Sequence, residues 1–136
     1  MRFRFSLAFV AAILVLTGTA IRAAYERIAP QAETNATRIV MLDVGQGDAI
    51  LIDGPGDAEV LIDGGPTPDL PQKLARMLGR DRSIDLVVLS HPHADHLVGL
   101  VPILERYTVG SVLMTGVVHT TSEYERFLAI IRDKGI

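Results

Sequence analysis

Ser90-His91-Pro92-His93-Ala94-Asp95-His96 brings three of the chain's four histidines and a carboxylate into six consecutive positions. Imidazole and carboxylate suit Zn, Mn or Fe, and the chain has no cysteine to offer a softer thiolate. The order of the residues fits that chemistry. Positions two apart in an extended segment point the same way, so His91 and His93 are placed to grip one ion. Pro92 disfavours the α conformation at His91 and keeps the pair extended. Asp95 and His96 follow one turn later, where they are placed to hold a second ion. Asp95 is also a candidate to orient an attacking water, since a carboxylate at that position can accept its proton. One or two ions would bring the pKa of a coordinated water toward about 7, enough to attack an electrophilic carbon or phosphorus near neutral pH.

These ligands follow Asp85-Leu86-Val87-Val88-Leu89-Ser90, an almost wholly apolar run of the kind that forms a strand buried on both faces. An apolar strand delivering Ser-His-x-His-x-Asp-His resembles the metal motif of the metallo-β-lactamase superfamily. Asp43-Val44-Gly45-Gln46-Gly47-Asp48-Ala49 and Leu61-Ile62-Asp63-Gly64-Gly65 narrow the likeness. Together they resemble the hydrolase domain of DNA-uptake competence channel proteins (ComEC type) and their stand-alone relatives, from about Arg38 onward.

The resemblance implies an α/β fold, the N-terminal half of a four-layer αββα sandwich. It implies that Asp63 orients the histidine loop rather than binding metal, and Zn as the usual ion, with Mn or Fe as alternatives. It places Gln46 and Asp48 at the rim of the cleft and His119 in an overhanging loop, as candidates for substrate contact. It also implies a phosphodiester or nucleic-acid substrate. The family supplies a further histidine, a bridging carboxylate and a last histidine after the motif, and no such set follows His119. The expectation is therefore a domain truncated at its C-terminus and catalytically incomplete.

Other readings of the same residues are weaker. Gly45-x-Gly47 is no dinucleotide fingerprint, because Ile50 stands at the third glycine position and a strand follows. Asp63 is equally a turn residue on its own terms. A membrane-tethered accessory domain that binds a partner or DNA without turnover is the alternative function. No protein partner is inferable.

At 136 residues the chain has room for one domain. Its N-terminus is distinct. Two arginines precede an uncharged apolar run over residues 5–21. At 1.5 Å per residue that run would span roughly 25 Å as a helix, slightly short of a hydrocarbon core of about 30 Å. Residues 1–27 read as a signal or anchor segment and 28–37 as a linker, which leaves 38–136 for the partial domain. The expectation is an uncleaved anchor in the cytoplasmic membrane with the domain outside, and secretion after cleavage is the alternative. Of 13 basic and 16 acidic residues, four Arg and one Glu lie within residues 1–27. The remainder holds nine basic against fifteen acidic residues, a net of −6, which excludes a basic nucleic-acid-binding surface.

The elements that must hold the motif are readable from pattern. Strands are expected over 38–44, 49–53 and 59–62, with Asp53-Gly54-Pro55-Gly56-Asp57 turning the second into the third. A helix is expected over 69–78, the strand 85–90, and a helix over 96–107 carrying Pro102 near its first turn or bent by it. A strand over 111–114 follows. A last helix begins at Thr121 or Ser122, with Glu123 and Glu125 placed for a capping box, and ends at Gly135.

Overall fold

The structure is a computed structural model that describes Thr19, residues 36–79 and residues 82–136. Apart from Thr19, the expected apolar anchor over 5–21 lies outside the described residues, as does most of the 28–37 linker. Among the described residues, no helix is long and apolar enough to cross a membrane.

Five strands form one sheet in chain order: β1 (Arg38–Met41), β2 (Ile50–Gly54), β3 (Ala58–Ile62), β4 (Ser83–Leu89) and β5 (Thr108–Met114). The first three make the expected antiparallel meander, with Val40 opposite Leu51 and Leu51 opposite Leu61. From there the sheet becomes parallel, β3 to β4 and β4 to β5, because helices carry the chain across between those strands. These helices are α1 (Leu70–Ala75), the pair α2 (Ala94–Leu97) and α3 (Leu100–Arg106), and finally α4 (Ser122–Lys134) after β5. The result is a mixed α/β layer, in keeping with a meander that leads into alternating strands and helices.

One face of the sheet builds the core. Leu51, Leu61 and Val87 lie side by side in register, and with Leu89 they pack in one cluster with Leu70 and Leu74 of α1, Ile103 and Leu104 of α3 and Phe127 of α4. Burying a side chain of this size stabilises by about 1.5–3 kcal/mol. The alternate positions Ile50, Ile52, Val60, Ile62, Leu86 and Val88 are also all apolar, yet they are only half-buried and stand outside that cluster. Toward the sheet's edges the same face is open: Ile39 is 67% exposed, Met41 77% and Leu113 58%.

The single helix expected over 96–107 is two helices. Gly64 N–H donates to His96 O at 2.7 Å, and Gly99 N–H donates to Gly65 O at 3.1 Å. The end of β3 thus takes up backbone groups that a continuous helix would pair with each other. Pro102 falls in the first turn of α3, where its missing N–H is not needed. In α4, Thr121 is the N-cap and its Oγ1 accepts the Tyr124 N–H at 3.4 Å. That register puts Tyr124, not a glutamate, at the third helical position, so no capping box forms. Glu123 and Glu125 instead lie in the first turn, where the helix dipole favours negative charge. Gly135 closes the helix with φ +70°.

Candidate metal centre

β4 ends at Leu89, and the ligand loop begins on the next residue. Two of its histidines are held by one carboxylate, that of Asp63 at the end of β3. Asp63 is 3% exposed and adopts φ +58°, a left-handed conformation that Asp tolerates better than most residues. Its main chain is pinned by donation of its N–H to Val88 O at 2.9 Å. Its Oδ1 accepts the Ser90 N–H at 2.8 Å, while Oδ2 accepts the Ser90 hydroxyl at 2.6 Å and lies 2.9 Å from His96 Nδ1.

Those contacts fix both imidazoles. A carboxylate only accepts, so His96 carries its proton on Nδ1 and presents the lone pair of Nε2. Ser90 gives its one proton to Asp63, so its Oγ must accept from His91 Nδ1, 3.0 Å away. His91 then also presents an Nε2 lone pair. Asp63 acts on both rings, directly on His96 and through Ser90 on His91.

The described residues bring ligand atoms of His91, Asp95 and His96 within 4.8 Å of one another. His96 is buried and the other two are half-buried. Asp95 Oδ2 lies 3.7 Å from His96 Nε2. The rings of His91 and His96 are tilted with centroids 3.9 Å apart. Two nitrogen lone pairs and a carboxylate at this spacing fit a divalent cation of the zinc type. His93 is exposed at the N-cap of α2 and stands outside that group, its ring edge-on to His91 at 4.7 Å. The geometry therefore places His91 with Asp95 and His96, and His93 beside them.

A second group, Asp48, Asp63 and His96, also has ligand atoms within 4.8 Å. Asp63's oxygens there are already engaged by Ser90 and His96, and Asp48 Oδ2 is 3.9 Å from His96 Nδ1. Asp48 thus sits against the back of His96, and its side chain is 64% exposed. Gln46 is exposed on the same loop. His119 reaches within 6.0 Å of the His93 ring, and its Nδ1 lies 3.3 Å from Thr121 Oγ1.

Two features escaped the sequence reading. Ser90 has a role as the link between Asp63 and His91, signalled only by a hydroxyl residue at the strand's exit. The contact of residues 43–48 with Asp95 had no local signal. No curated protein matches the chain. Residues 42–135, the stretch that contains every one of these groups, match the model of the metallo-beta-lactamase superfamily, and the chain belongs to that superfamily.

Proposed function

We propose that this chain is the metal-binding part of a hydrolase that uses water against a phosphodiester, in a setting like that of the competence channel proteins it resembles. Membership of a superfamily that is generally hydrolytic supports the reaction class. The single observation that carries the reading is the Asp63–Ser90 arrangement, which turns the Nε2 atoms of His91 and His96 outward beside the Asp95 carboxylate. A protein has little other reason to hold two neighbouring imidazoles in that tautomer.

His91, Asp95 and His96 would hold the ion, with His93 the nearest further imidazole, and Zn is the favoured metal. When bound, the ion supplies the Lewis acidity that makes water a nucleophile near neutral pH. Asp95 orients the attacking water and takes its proton. Asp63 keeps both histidines aimed, His96 directly and His91 through Ser90. Asp48, Gln46 and His119 border the centre as substrate-side groups. A three-donor set leaves the second ion of this reading without enough ligands among the described residues, so full activity needs donors beyond them. The domain is held outside the cytoplasmic membrane by residues 5–21.

The open apolar face of the sheet favours a second reading, an accessory domain that binds a partner without turnover. Elemental analysis and a panel of chromogenic phosphodiesters, esters and lactams separate the two. Metal-dependent cleavage of a phosphodiester that is lost in His96→Ala supports the first. A chain that takes up no divalent metal, or whose phosphodiester cleavage is unchanged in His96→Ala, overturns it in favour of the second.

A further inference from the structure

The loop of residues 43–48 meets the metal-ligand loop at Gly47. A side chain has no room there. A Cβ on Gly47 would lie 1.9 Å from the Asp95 carbonyl oxygen and 2.9 Å from Asp95 Cβ. Real Cβ atoms do not approach that closely, so one of the two loops would have to move. The 43–48 loop is poorly able to yield. Leu42 N–H donates to Ala49 O at 2.8 Å and closes its base, while Gly65 N–H donates to Asp48 O at 3.0 Å. Lys73 Nζ donates to Asp43 O at 2.5 Å, and Gly45 N–H donates to Asp43 Oδ1 at 3.2 Å. On the other side, Asp95 is in the first turn of α2, a helix of four residues.

We infer that Gly47 is a positioning residue for the metal centre: the clamped 43–48 loop braces the Asp95 backbone and sets where its carboxylate stands relative to His91 and His96. The inference rests on the reading of those three residues as ion ligands. It gives the Asp-Val-Gly-Gln-Gly-Asp segment a part in metal binding although none of its atoms joins the His91 group.

The loop contains its own control. Gly45 has φ +81° and Gly47 has φ +83°, so alanine meets the same left-handed strain at either position. A Cβ on Gly45 meets nothing within 4 Å. Only at Gly47 does it strike Asp95. The experiment is Co2+ titration of the full chain and of Gly45→Ala and Gly47→Ala, followed by visible absorption and by backbone amide NMR of the metal-free proteins. Gly47→Ala should weaken Co2+ binding by about tenfold or more relative to Gly45→Ala and alter the cobalt d–d bands. It should also shift the Asp95 and His96 amide resonances without metal, which Gly45→Ala should leave in place. Equal affinities, spectra and amide shifts in the two variants would overturn the inference.

Should Gly47→Ala fail to fold, Lys73→Ala releases the loop's foot from the surface. It should move the same two resonances, and leaving both unmoved would overturn the inference. A wild-type chain that binds no Co2+ while Gly47→Ala still moves Asp95 would support the bracing and refute the metal reading.

Discussion

Asp63→Asn exchanges one oxygen for an amide nitrogen and keeps a residue type that tolerates φ +58°. Its carbonyl can still accept the Ser90 N–H; turning the amide over would set its NH2 against that donor. The NH2 therefore faces Ser90 Oγ and His96 Nδ1, where the carboxylate accepted. His96 must then accept on Nδ1 and carry its proton on Nε2. Ser90, now receiving a proton from the amide, gives its own to His91 Nδ1, and His91 also becomes protonated on Nε2. Both lone pairs aimed at the ion are lost, although no ligand has been touched. Loss of a single such partner costs 10- to 100-fold in metal affinity, and two histidines are affected here, so a drop of about 100-fold, or about 2.7 kcal/mol, is expected. Folding stability should fall by no more than about 1 kcal/mol, because the hydrogen-bond count is kept. Asp63→Ala deletes all three contacts and should lose about 3 kcal/mol or more in stability as well. Chelator-competition titration with Zn2+, paired with urea unfolding of the metal-free proteins, reads both quantities. An Asn variant that binds Zn2+ within twofold of wild type would refute the tautomer argument, as would one as unstable as the Ala variant.

Elemental analysis should show far less bound metal in His91→Ala or His96→Ala than in His119→Ala, whose ring stands 6.0 Å beyond His93; equal losses would overturn the ligand assignment. Tyr107 is buried with its hydroxyl on Pro71 O, and burial pushes its pKa above the ordinary value of 10.0. The neutral phenol is thus favoured in the folded state, so its contribution is whole below pH 10 and is lost as pH rises past it. Tyr107→Phe should flatten the fall in stability above pH 10, and an unchanged slope in alkaline unfolding would refute this. Ile39→Lys, on the open face of the edge strand β1, should reduce self-association in sedimentation while changing stability by less than about 0.5 kcal/mol. Fractionation and external protease should find the domain membrane-bound and outside; a soluble chain that keeps Met1 in the cytosol would refute the anchor.

The strands were legible because their signals are local. Short apolar runs and the Gly-Pro-Gly turn between them define β2 and β3 without outside help, and β4 is a plain apolar run. The ligand cluster was legible for the same reason, since its members are consecutive. The division of α2 from α3 was not, because its cause is a hydrogen bond from Gly64, more than thirty residues upstream. The place of Asp48 behind His96 was hidden likewise, as it depends on how the meander folds over β4. β1 stops at Met41 rather than running to 44 because residues 43–48 turn away to meet Asp95, which no local pattern records. The capping-box expectation failed by one residue of register, Thr121 and not Ser122 being the cap.

The pairing of Asp63 with Ser90 and His96 spans 27 and 33 residues of chain. A loop of that length is closed only at an entropic cost, so such contacts form after the neighbouring hairpins rather than with them. The histidines can therefore be adjacent in an unfolded chain yet remain untuned, with either ring nitrogen protonated. They acquire a common tautomer only when β3 docks beside β4. Ion uptake at this centre would thus report the docking of β3 beside β4. It would also act as a latch: free ion at a hundred times its Kd would add about 2.7 kcal/mol to the docked state alone. A cell that controls its supply of that ion would thereby control what fraction of these chains is mature.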